Sequence, residues 1–346
     1  MRALRYEHWQ GPVTVAHLPD PTPPVDGVVV AVGASGLCRS DWHAWMGHDH
    51  TVSLPHVPGH EFAGTVVAVG PQVRTWSVGD RVTTPFVVAC GTCGPCRAGD
   101  RQVCLDQWQP GFDGWGSHAE LVAIPRADGN LVAVPDEVDD VTAAGLGCRV
   151  TTAHRAVVDL AAVGPGEWLA VHGCGGVGLA AVLVAVAVGA RVVAVDIDAQ
   201  RLRSAHALGA EAVVDASRVD DVAAVVRDLT GGGARASLDA VGDAAVCAEA
   251  VRGLAVGGRH VQVGLLPGGA HLPMDLVVAR ELQVMGSHGM AAQGVAAVLA
   301  QVADGSLDLA RLPGGRVSLA EGARLLTTAA SFSTLGLTVI DRFTTD

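Results

Sequence analysis

The stretch Trp168–Asp196 reads WLAVHGCGGVGLAAVLVAVAVGARVVAVD and decides the fold. An apolar strand-like segment leads into the pattern G-x-G-x-x-G, formed by Gly173, Gly175 and Gly178. An apolar helical segment follows, and a second strand ends at Asp196, about 20 residues beyond the glycines. Glycines in this context permit a tight turn, the approach of a pyrophosphate and close packing of a helix on a strand. The stretch therefore predicts a dinucleotide-binding β-α-β unit.

The same stretch indicates which nucleotide binds. The helix begins near Gly176 and Val177, where free backbone N–H groups are available to the phosphates. Asp196 can accept hydrogen bonds from both adenine-ribose hydroxyls and would repel a 2′-phosphate, so NAD is favoured over NADP. The alternative interpretation is a glycine-rich turn that binds nothing.

A run of 23 residues without formal charge, Trp168–Ala190, is also long enough to suggest a membrane helix. Its glycine turns divide it into a strand and a helix, so we expect a buried β-α unit and no membrane. Strand and helix patterns alternate onward from about Thr142, which predicts a parallel sheet with helices on both faces. The predicted elements include helices Val177–Val188, Val219–Thr230 and Ala244–Leu254 and strands Arg191–Asp196, Ala236–Ala240 and His260–Val263.

The remaining parts of the chain have a different pattern. Residues 1–135 contain short β-runs broken by Pro and Gly, including Val28–Val32, Gly64–Val69 and Glu120–Ile124. The end of the chain returns to mixed character, with a strand predicted at Leu335–Ile340. At 346 residues the chain is long enough for two domains.

Composition excludes several classes of function. All 23 basic residues are Arg, so no lysine is available for a Schiff base, a P-loop or a protein-kinase site. A net charge of −12 argues against a nucleic-acid footprint. The first residues, MRALRYEHWQG, contain no apolar segment typical of a secretory signal. The eight cysteines then favour metal binding or catalysis in a reducing, cytoplasmic setting over disulfides.

Four of the cysteines form a compact motif, Cys90-x2-Cys93-x2-Cys96-x7-Cys104. Four thiolates around one ion suit tetrahedral zinc and leave no open position for a substrate, which predicts a structural zinc lobe. An iron–sulfur cluster and two disulfides are the alternatives. The first usually has another spacing, and the second requires an oxidising compartment.

A third set of candidate ligands is scattered along the chain. It lies in GLCRSDWH (36–43), PGHEFAG (58–64) and GCR (147–149). Cys38, His60 and Cys148 would make the Cys2His set of a catalytic zinc, which needs three protein ligands and one open position. Taken singly, a Cys or His among apolar residues is more often explained by plain packing, and spacing alone does not select these three.

In this order, the motifs GLCRSDWH, GHEFAG, the four-cysteine lobe, GCR and GCGGVG with VDID resemble the zinc-dependent alcohol dehydrogenases of the medium-chain dehydrogenase/reductase superfamily. The resemblance covers essentially the whole chain. It implies an α/β fold with a GroES-like, β-rich catalytic domain and a Rossmann domain whose parallel sheet is doubly wound. The catalytic domain is expected at 1–149 and 288–346, with the structural zinc lobe at about 89–105, and the NAD-binding domain at 150–287.

The resemblance also implies roles for individual residues. Cys38, His60 and Cys148 would bind the catalytic zinc, with Glu61 a neighbouring carboxylate or a transient ligand, and Asp41 would orient His60. Ser40 would take the alcohol proton and pass it, through the cofactor ribose, towards His43. Further cofactor contacts are expected from Arg39, Thr152, Arg201, Val263 and Ser287. The expected substrate pocket is lined by Trp42, Phe86, Phe112 and Trp115.

The implied activity is hydride transfer between NAD(H) and a primary or secondary alcohol, or the corresponding aldehyde or ketone, with about two zinc ions per subunit. A related dehydrogenase of polyols, sugars or thiol adducts is one alternative, and a non-catalytic NAD-binding redox sensor is another. The resemblance further implies a cytoplasmic homo-oligomer, a tetramer rather than a dimer. Cys174 and Cys247 are left without a role.

Overall fold

The computed structural model describes residues 1–328 and 336–343, which divide into two compact units. The first unit comprises Met1–Thr151 and Gly289–Asp346, and the second comprises Thr152–His288. The second unit contains the glycine-rich stretch, and the first contains both sets of cysteine and histidine ligand candidates.

The first unit is rich in short strands and short helices. Its strands are β1 (Arg2–Arg5), β2 (Thr14–His17), β3 (Val28–Gly36), β4 (Phe62–Val69), β5 (Arg81–Thr83), β6 (Leu121–Ile124), β7 (Val132–Ala133), β14 (Arg316–Ser318) and β15 (Val339–Arg342). Its helices are α1 (Arg39–Trp45), α2 (Gly94–Ala98), α3 (Ala127–Asn130), α4 (Asp140–Ala144), α11 (Ala292–Ala303) and α12 (Leu319–Leu326), with 3-10 turns at Arg101–Val103 and Leu309–Arg311. Helix α5 (Arg149–His154) contains the boundary between the units.

A seven-stranded sheet organises the first unit, in the order β14-β15-β3-β4-β5-β7, with β6 paired to the free part of β3. Every pairing is antiparallel except β14 with β15. Alternate side chains of β3, such as Val28 and Val30, pack against Phe62 and Ile124 in a fully buried core. This sheet fixes the ends of β3 and β4, and the scattered motifs lie next to these ends.

The second unit is a six-stranded parallel sheet in the order β10-β9-β8-β11-β12-β13. Its strands are β8 (Trp168–His172), β9 (Arg191–Asp196), β10 (Ala212–Asp215), β11 (Ala234–Asp239), β12 (Leu254–Gln262) and β13 (Gln283–Gly286). Its helices are α6 (Gly176–Ala187), α7 (Ala199–Leu208), α8 (Val222–Thr230), α9 (Ala244–Arg252) and α10 (Met274–Ala279), with a π-helical turn at Arg155–Ala161. The strand order reverses at β8, as in doubly wound nucleotide-binding sheets, and ligands of such sheets bind where the order reverses.

The uncharged run now has a structural explanation. Strand β8 lies between β9 and β11, and residues Gly178–Ala185 of α6 are buried, so charged side chains would have no solvent there. Within the described part of the chain, no helix combines the length and the apolar character needed to cross a membrane.

The predicted strands and helices are present, with shifted ends. Helix α8 begins at Val222 rather than Val219, because Asp221 accepts the N–H of Ala224 and caps it. Strand β12 starts at Leu254 rather than His260, and a positive φ of 67° at Gly257 carries the chain through an irregularity inside the strand. The strand predicted at Leu335–Ile340 is observed at Val339–Arg342, and Leu335 lies outside the described residues.

Candidate metal centres and nucleotide site

Three distant segments of the first unit bring their ligand atoms together. Cys38 is the N-cap of α1, His60 precedes β4 and Cys148 precedes α5. Their Sγ and imidazole nitrogen atoms, with a carboxylate oxygen of Glu61, all lie within 4.8 Å of one another. Two thiolates, an imidazole and a carboxylate are zinc ligands, and the three predicted ligands thus form one cluster.

The ring of His60 is held for metal binding. Its Nδ1 lies 2.9 Å from Oδ1 of Asp41, while its Nε2 is buried and has no hydrogen-bond partner within the described part of the chain. An unpaired buried nitrogen is unfavourable unless a missing group completes it. The donor set therefore fits a zinc ion that takes Nε2, with the carboxylate fixing the other ring nitrogen.

Asp41 connects several parts of this centre. It is fully buried on α1 and also accepts the N–H of Cys38 at 2.9 Å and of Gly59 at 3.2 Å. Burial opposes ionisation, but the charges of His60 and His118 outweigh it and hold the pKa of Asp41 well below its usual range. The carboxylate thus stays ionised and positions two of the ligand-bearing segments.

The two thiols of the cluster are unequal. A hydrogen bond with Cys148 lowers the pKa of Cys38 well below its ordinary value despite burial, and the same contact raises the pKa of Cys148. The contact between the buried Cys38 and the partly exposed Cys148 thus favours the thiolate on Cys38 and the thiol on Cys148. A divalent cation favours the thiolate form of both, because thiolate is the ligand form of cysteine.

Glu61 is engaged by an arginine that the sequence analysis did not single out. Arg149 donates its backbone N–H to Oε1 at 2.9 Å and its Nε to both carboxylate oxygens at 3.0 Å, and a further guanidinium nitrogen contacts Oε2. Burial raises the pKa of Glu61, and the charge of Arg149 opposes that rise. The only sequence signal for Arg149 is its position beside Cys148 in GCR.

A second residue missed in the sequence is His118, which is fully buried. Its Nδ1 lies 2.8 Å from Oγ of Ser35, and its Nε2 lies 3.5 Å from Oδ2 of Asp41. Asp41 thus faces two imidazoles, and nothing in the local sequence around His118 indicates this.

The residues predicted to carry a proton lie on α1 next to the cluster. Oγ of Ser40 is 3.7 Å from Sγ of Cys38. His43 is half-buried, and burial together with the charges of Arg39 and His48 lowers its pKa. Arg39 is exposed at the start of the helix.

The four predicted pocket residues separate into groups. The rings of Phe86 and Phe112 lie 6.4 and 5.3 Å from the ring of His60, measured between centroids. Trp42 stands edge-on to His43 at 4.9 Å. Trp115 is 40% exposed and lines a different pocket with Trp108 and Leu121, so the structure does not bring it to the cluster.

The four-cysteine lobe forms a second cluster. Cys90, Cys93, Cys96 and Cys104 have their sulfur atoms within 4.8 Å of one another. Backbone N–H groups of Thr92 and Cys93 point at Sγ of Cys90 at 3.4 Å and lower the pKa of this thiol to about 6. Backbone donors that favour a thiolate, together with four sulfur ligands, fit a closed structural zinc site.

The three glycines of the G-x-G-x-x-G motif meet different structural requirements. Gly173 has a φ of 88°, and a Cβ on Gly178 would lie 1.7 Å from the carbonyl oxygen of Gly173. A Cβ on Gly175, in contrast, would meet no atom within 4 Å. Gly173 and Gly178 are therefore required by the fold of the protein itself. The open space at Gly175 instead fits the approach of a phosphate at the start of α6, where Gly176 and Val177 expose helix N–H groups.

Asp196 ends β9 and reaches the glycine-rich turn. Its Oδ2 accepts the N–H of Cys174 at 2.6 Å, its Oδ1 accepts the N–H of Asp198 at 2.9 Å, and Arg201 lies 3.6 Å away. Cys174 is completely buried, and burial raises the pKa of its thiol, which makes it a packing residue with a backbone contact.

Three further predicted cofactor residues, Thr152, Val263 and Ser287, also belong to the second unit. Oγ1 of Thr152 and Oγ of Ser287 are buried without a hydrogen-bond partner among the described residues. Val263 follows β12, and its N–H is bonded to the carbonyl of Asp239 at 3.0 Å. The two unpaired hydroxyls fit a unit that binds a polar ligand.

Comparison with known proteins agrees with this geometry. Residues 25–136 match the alcohol dehydrogenase GroES-like domain, and residues 176–304 match the zinc-binding dehydrogenase family. An alcohol dehydrogenase of Geobacillus stearothermophilus is 35% identical over 290 residues, which cover 83% of this chain and 84% of that protein.

Solved structures give the same result. Alcohol dehydrogenase TADH from Thermus sp. ATN1 has a TM-score of 0.90 at 30% identity, covering 98% of this chain and 99% of that chain. A zinc-binding dehydrogenase from Sinorhizobium meliloti 1021, solved bound to NADP, has a TM-score of 0.87 at 29% identity and covers 98% of each chain.

Proposed function

The chain belongs to the zinc-type alcohol dehydrogenases of the medium-chain dehydrogenase/reductase superfamily, and we propose that it transfers a hydride between a small alcohol and NAD. It is an oxidoreductase with a GroES-like and a Rossmann domain that uses zinc. The observation that carries the proposal is the convergence of Cys38, His60 and Cys148, with Nε2 of His60 buried and unpaired.

Zinc at such a centre supplies a Lewis acid that lowers the pKa of a hydroxyl group, and the nicotinamide supplies the hydride acceptor. Cys38, His60 and Cys148 hold the ion, and Asp41 keeps the ring of His60 in the orientation that leaves Nε2 available. Ser40 takes the hydroxyl proton at Oγ, and His43 carries it towards solvent. Phe86 and Phe112 line the apolar side of the centre and exclude water from it.

Glu61 is proposed to act as a neighbouring carboxylate. The hydrogen bonds from Arg149 occupy both of its oxygens, and ligation by Glu61 would require one of them to be released. Arg149 thereby helps to keep a coordination position for the substrate. The four-cysteine lobe is proposed to hold a second, structural zinc ion.

The preference for NAD over NADP is proposed from Asp196. Its carboxylate lies at the end of β9, where an acidic residue accepts hydrogen bonds from the ribose and repels a 2′-phosphate. Because a relative binds NADP, this preference needs a direct measurement of both nucleotides. Thr152, Arg201, Val263 and Ser287 of the second unit, and Arg39 of the first, are the further proposed cofactor contacts.

We also propose a cytoplasmic homo-oligomer, a tetramer rather than a dimer. The thiolates of both clusters require reduced cysteines. Strand β13 pairs only with β12 among the described strands, and its free edge is available to a second copy of the chain. The remaining partner is a small-molecule alcohol or carbonyl compound.

Steady-state assays with a panel of alcohols, aldehydes and ketones, each with NAD and NADP, test the proposal. We expect turnover of apolar alcohols with NAD and loss of about one zinc ion per chain, with loss of activity, in Cys38→Ser. Cys247→Ser, a thiol buried beside His260, is the matched control and should keep both. Turnover confined to polyols, sugars or thiol adducts would favour the related dehydrogenases. Nucleotide binding without turnover would favour a redox sensor.

A further inference from the structure

Two imidazoles of the first unit contact each other just beyond α1. His43, half-buried on the helix, has its Nδ1 2.9 Å from Nδ1 of His48, which is exposed in the loop that follows. The two ring centroids are 5.2 Å apart and the planes are tilted by 43°. Two imidazole nitrogens at this distance form a hydrogen bond only if one carries a proton and the other accepts it.

The backbone after the helix holds this pair in place. The N–H of His48 donates to the carbonyl of His43 at 3.0 Å, which closes the turn. Gly47 makes this turn possible with a φ of 81°, and a Cβ there would lie 3.3 Å from the ring of Trp9. The turn therefore brings the backbone of His48 next to His43, from where the two imidazoles can meet.

Trp42 packs against both rings. Its indole stands edge-on to His43 at 4.9 Å and to His48 at 5.9 Å. Trp42 was predicted to line the substrate pocket. In the structure its indole contacts these two histidine rings. An apolar ring beside the pair limits competing water at the two facing nitrogens, while the rest of His48 remains in solvent.

We propose that His48 is the group that accepts the proton from His43 and delivers it to solvent during alcohol oxidation. His43, protonated on both nitrogens, gives the proton on Nδ1 to Nδ1 of His48. The imidazolium of His48 then releases the proton on its Nε2 to water. One N–H bond forms for each that breaks, and the opposite direction supplies a proton for carbonyl reduction.

The surrounding charges agree with this direction of transfer. Burial, then Arg39 and His48, lowers the pKa of His43, and Cys38 opposes the change. The neighbouring carboxylate of Asp49 is engaged by the N–H and hydroxyl of Thr51 at 2.9 and 2.7 Å. His43 is therefore a poor place for a proton to remain, and the contact with the exposed ring of His48 offers a way out towards solvent.

The inference rests on the proposed function, so its first test does not use catalysis. Histidine-selective ¹⁵N labelling and NMR titration report the tautomer and the pKa of His43 in the wild type, in His48→Gln and in the control His50→Gln. We expect His48→Gln alone to change both properties of His43. An unchanged His43 in this variant would overturn the proposal, whether or not the enzyme oxidises alcohols.

The second test is kinetic. His48→Gln is expected to lower kcat for alcohol oxidation about tenfold in dilute buffer near neutral pH, with little change in KM, because water replaces the lost acceptor inefficiently. The pH profile should shift, and added imidazole should restore the rate in His48→Gln but not in the wild type or in His50→Gln. An unchanged kcat, or a loss that imidazole does not restore, would overturn a role for His48 in proton transfer.

If the wild type oxidises no alcohol, the proposed function fails while the NMR result still reports on the pair. If the wild type is active and His48→Gln behaves like it, only the role of His48 fails. The two failures are therefore distinguishable.

Discussion

Asp196 combines a structural and a recognition role in one carboxylate. It accepts the N–H groups of Cys174 and Asp198, which ties the glycine-rich turn to the end of β9. A carboxylate at this place also excludes a second negative charge. The proposed selection of the nucleotide thus rests on a residue that the turn itself holds in position.

We expect Asp196→Ser to relax this selection. The variant lacks the carboxylate that repels a 2′-phosphate and accepts hydrogen bonds from the ribose. The ratio of kcat/KM for NAD to kcat/KM for NADP should therefore fall by about 10- to 100-fold, or about 1.4–2.7 kcal/mol. Asp198→Ser is the matched control, since Asp198 caps α7 through the N–H of Gln200 at 2.7 Å and should affect stability alone. An unchanged ratio in Asp196→Ser would remove the basis for the NAD preference.

The ion pair of Glu61 and Arg149 is buried, with side-chain exposures of 0% and 5%. Arg149→Met should therefore leave an uncompensated carboxylate and lower the free energy of unfolding by about 3–5 kcal/mol. Denaturant unfolding of the metal-free protein measures this loss without a contribution from zinc. The double variant with Glu61→Gln should recover most of it, and equal losses in the single and double variants would contradict the assignment.

At the residue scale, the family resemblance carried by short motifs was enough to predict that Cys38, His60 and Cys148 come together, but it did not indicate their neighbours. Arg149 approaches Glu61 across 88 positions, and His118 approaches Asp41 from a separate loop. Such contacts depend on how the seven-stranded sheet aligns distant segments. One sequence contains no local pattern that indicates them.

At the scale of elements, the junction of β8 and α6 shows two different requirements for glycine. A Cβ at Gly178 would overlap the carbonyl of Gly173, whereas a Cβ at Gly175 would enter open space, at a φ of −79° that any residue adopts. The requirement at Gly178 comes from the fold, and the open space at Gly175 is what the proposed phosphate site would need.

We therefore expect opposite results from two alanine substitutions. Gly178→Ala should lower the free energy of unfolding by about 1–3 kcal/mol through overpacking. Gly175→Ala should leave stability near that of the wild type and weaken nucleotide binding at least about tenfold, because its methyl group occupies the approach of the phosphates. Calorimetry with NADH and denaturant unfolding measure the two effects, and full affinity in Gly175→Ala would contradict the phosphate assignment.

A second element-scale prediction concerns His172 at the end of β8. Burial, and then the charge of His260, lowers its pKa from 6.5 to about 3. Between these values the unfolded chain binds the extra proton, so the free energy of unfolding increases by about 1.4 kcal/mol for each unit by which the pH rises. This contribution is complete above pH 6.5 and is lost as the pH falls towards about 3.

His172→Gln should flatten this dependence between about pH 6 and about pH 4, measured by denaturant unfolding at several pH values. His206→Gln, at an exposed position of α7, is the control and should keep the slope of the wild type. If His172→Gln shows the same pH dependence of the free energy of unfolding as the wild type, the pKa of the buried imidazole is not lowered by folding.

The type of each central element was predictable because apolar periodicity and glycine turns are local signals. The ends were less predictable, because they depend on caps and irregularities such as Asp221 before α8 and Gly257 within β12. The π-helical turn at Arg155–Ala161 carries no local signal, and it was not predicted.

At the scale of the whole molecule, the two kinds of chemistry are assigned to different units. Both thiolate clusters lie in the first unit, and the glycine-rich stretch lies in the second. With no lysine in the chain, cationic contacts to an anionic nucleotide must come from arginine or from helix N–H groups. Because the net charge is strongly negative, local positive features of this kind are needed to offset repulsion of the phosphates.

The two metal clusters should lose zinc at different rates. The four-cysteine set would surround a zinc ion completely, whereas the Cys38–His60–Cys148 set would leave a position at which a chelator can bind before it removes the metal. We expect dipicolinate to release about one zinc ion per chain quickly, with loss of activity, and the second slowly, with loss of thermal stability. Cys96→Ser should abolish the slow phase and Cys38→Ser the fast phase. If both zinc ions leave in one phase, or if activity is lost together with the slowly released ion, the assignment of one closed and one open zinc site is wrong.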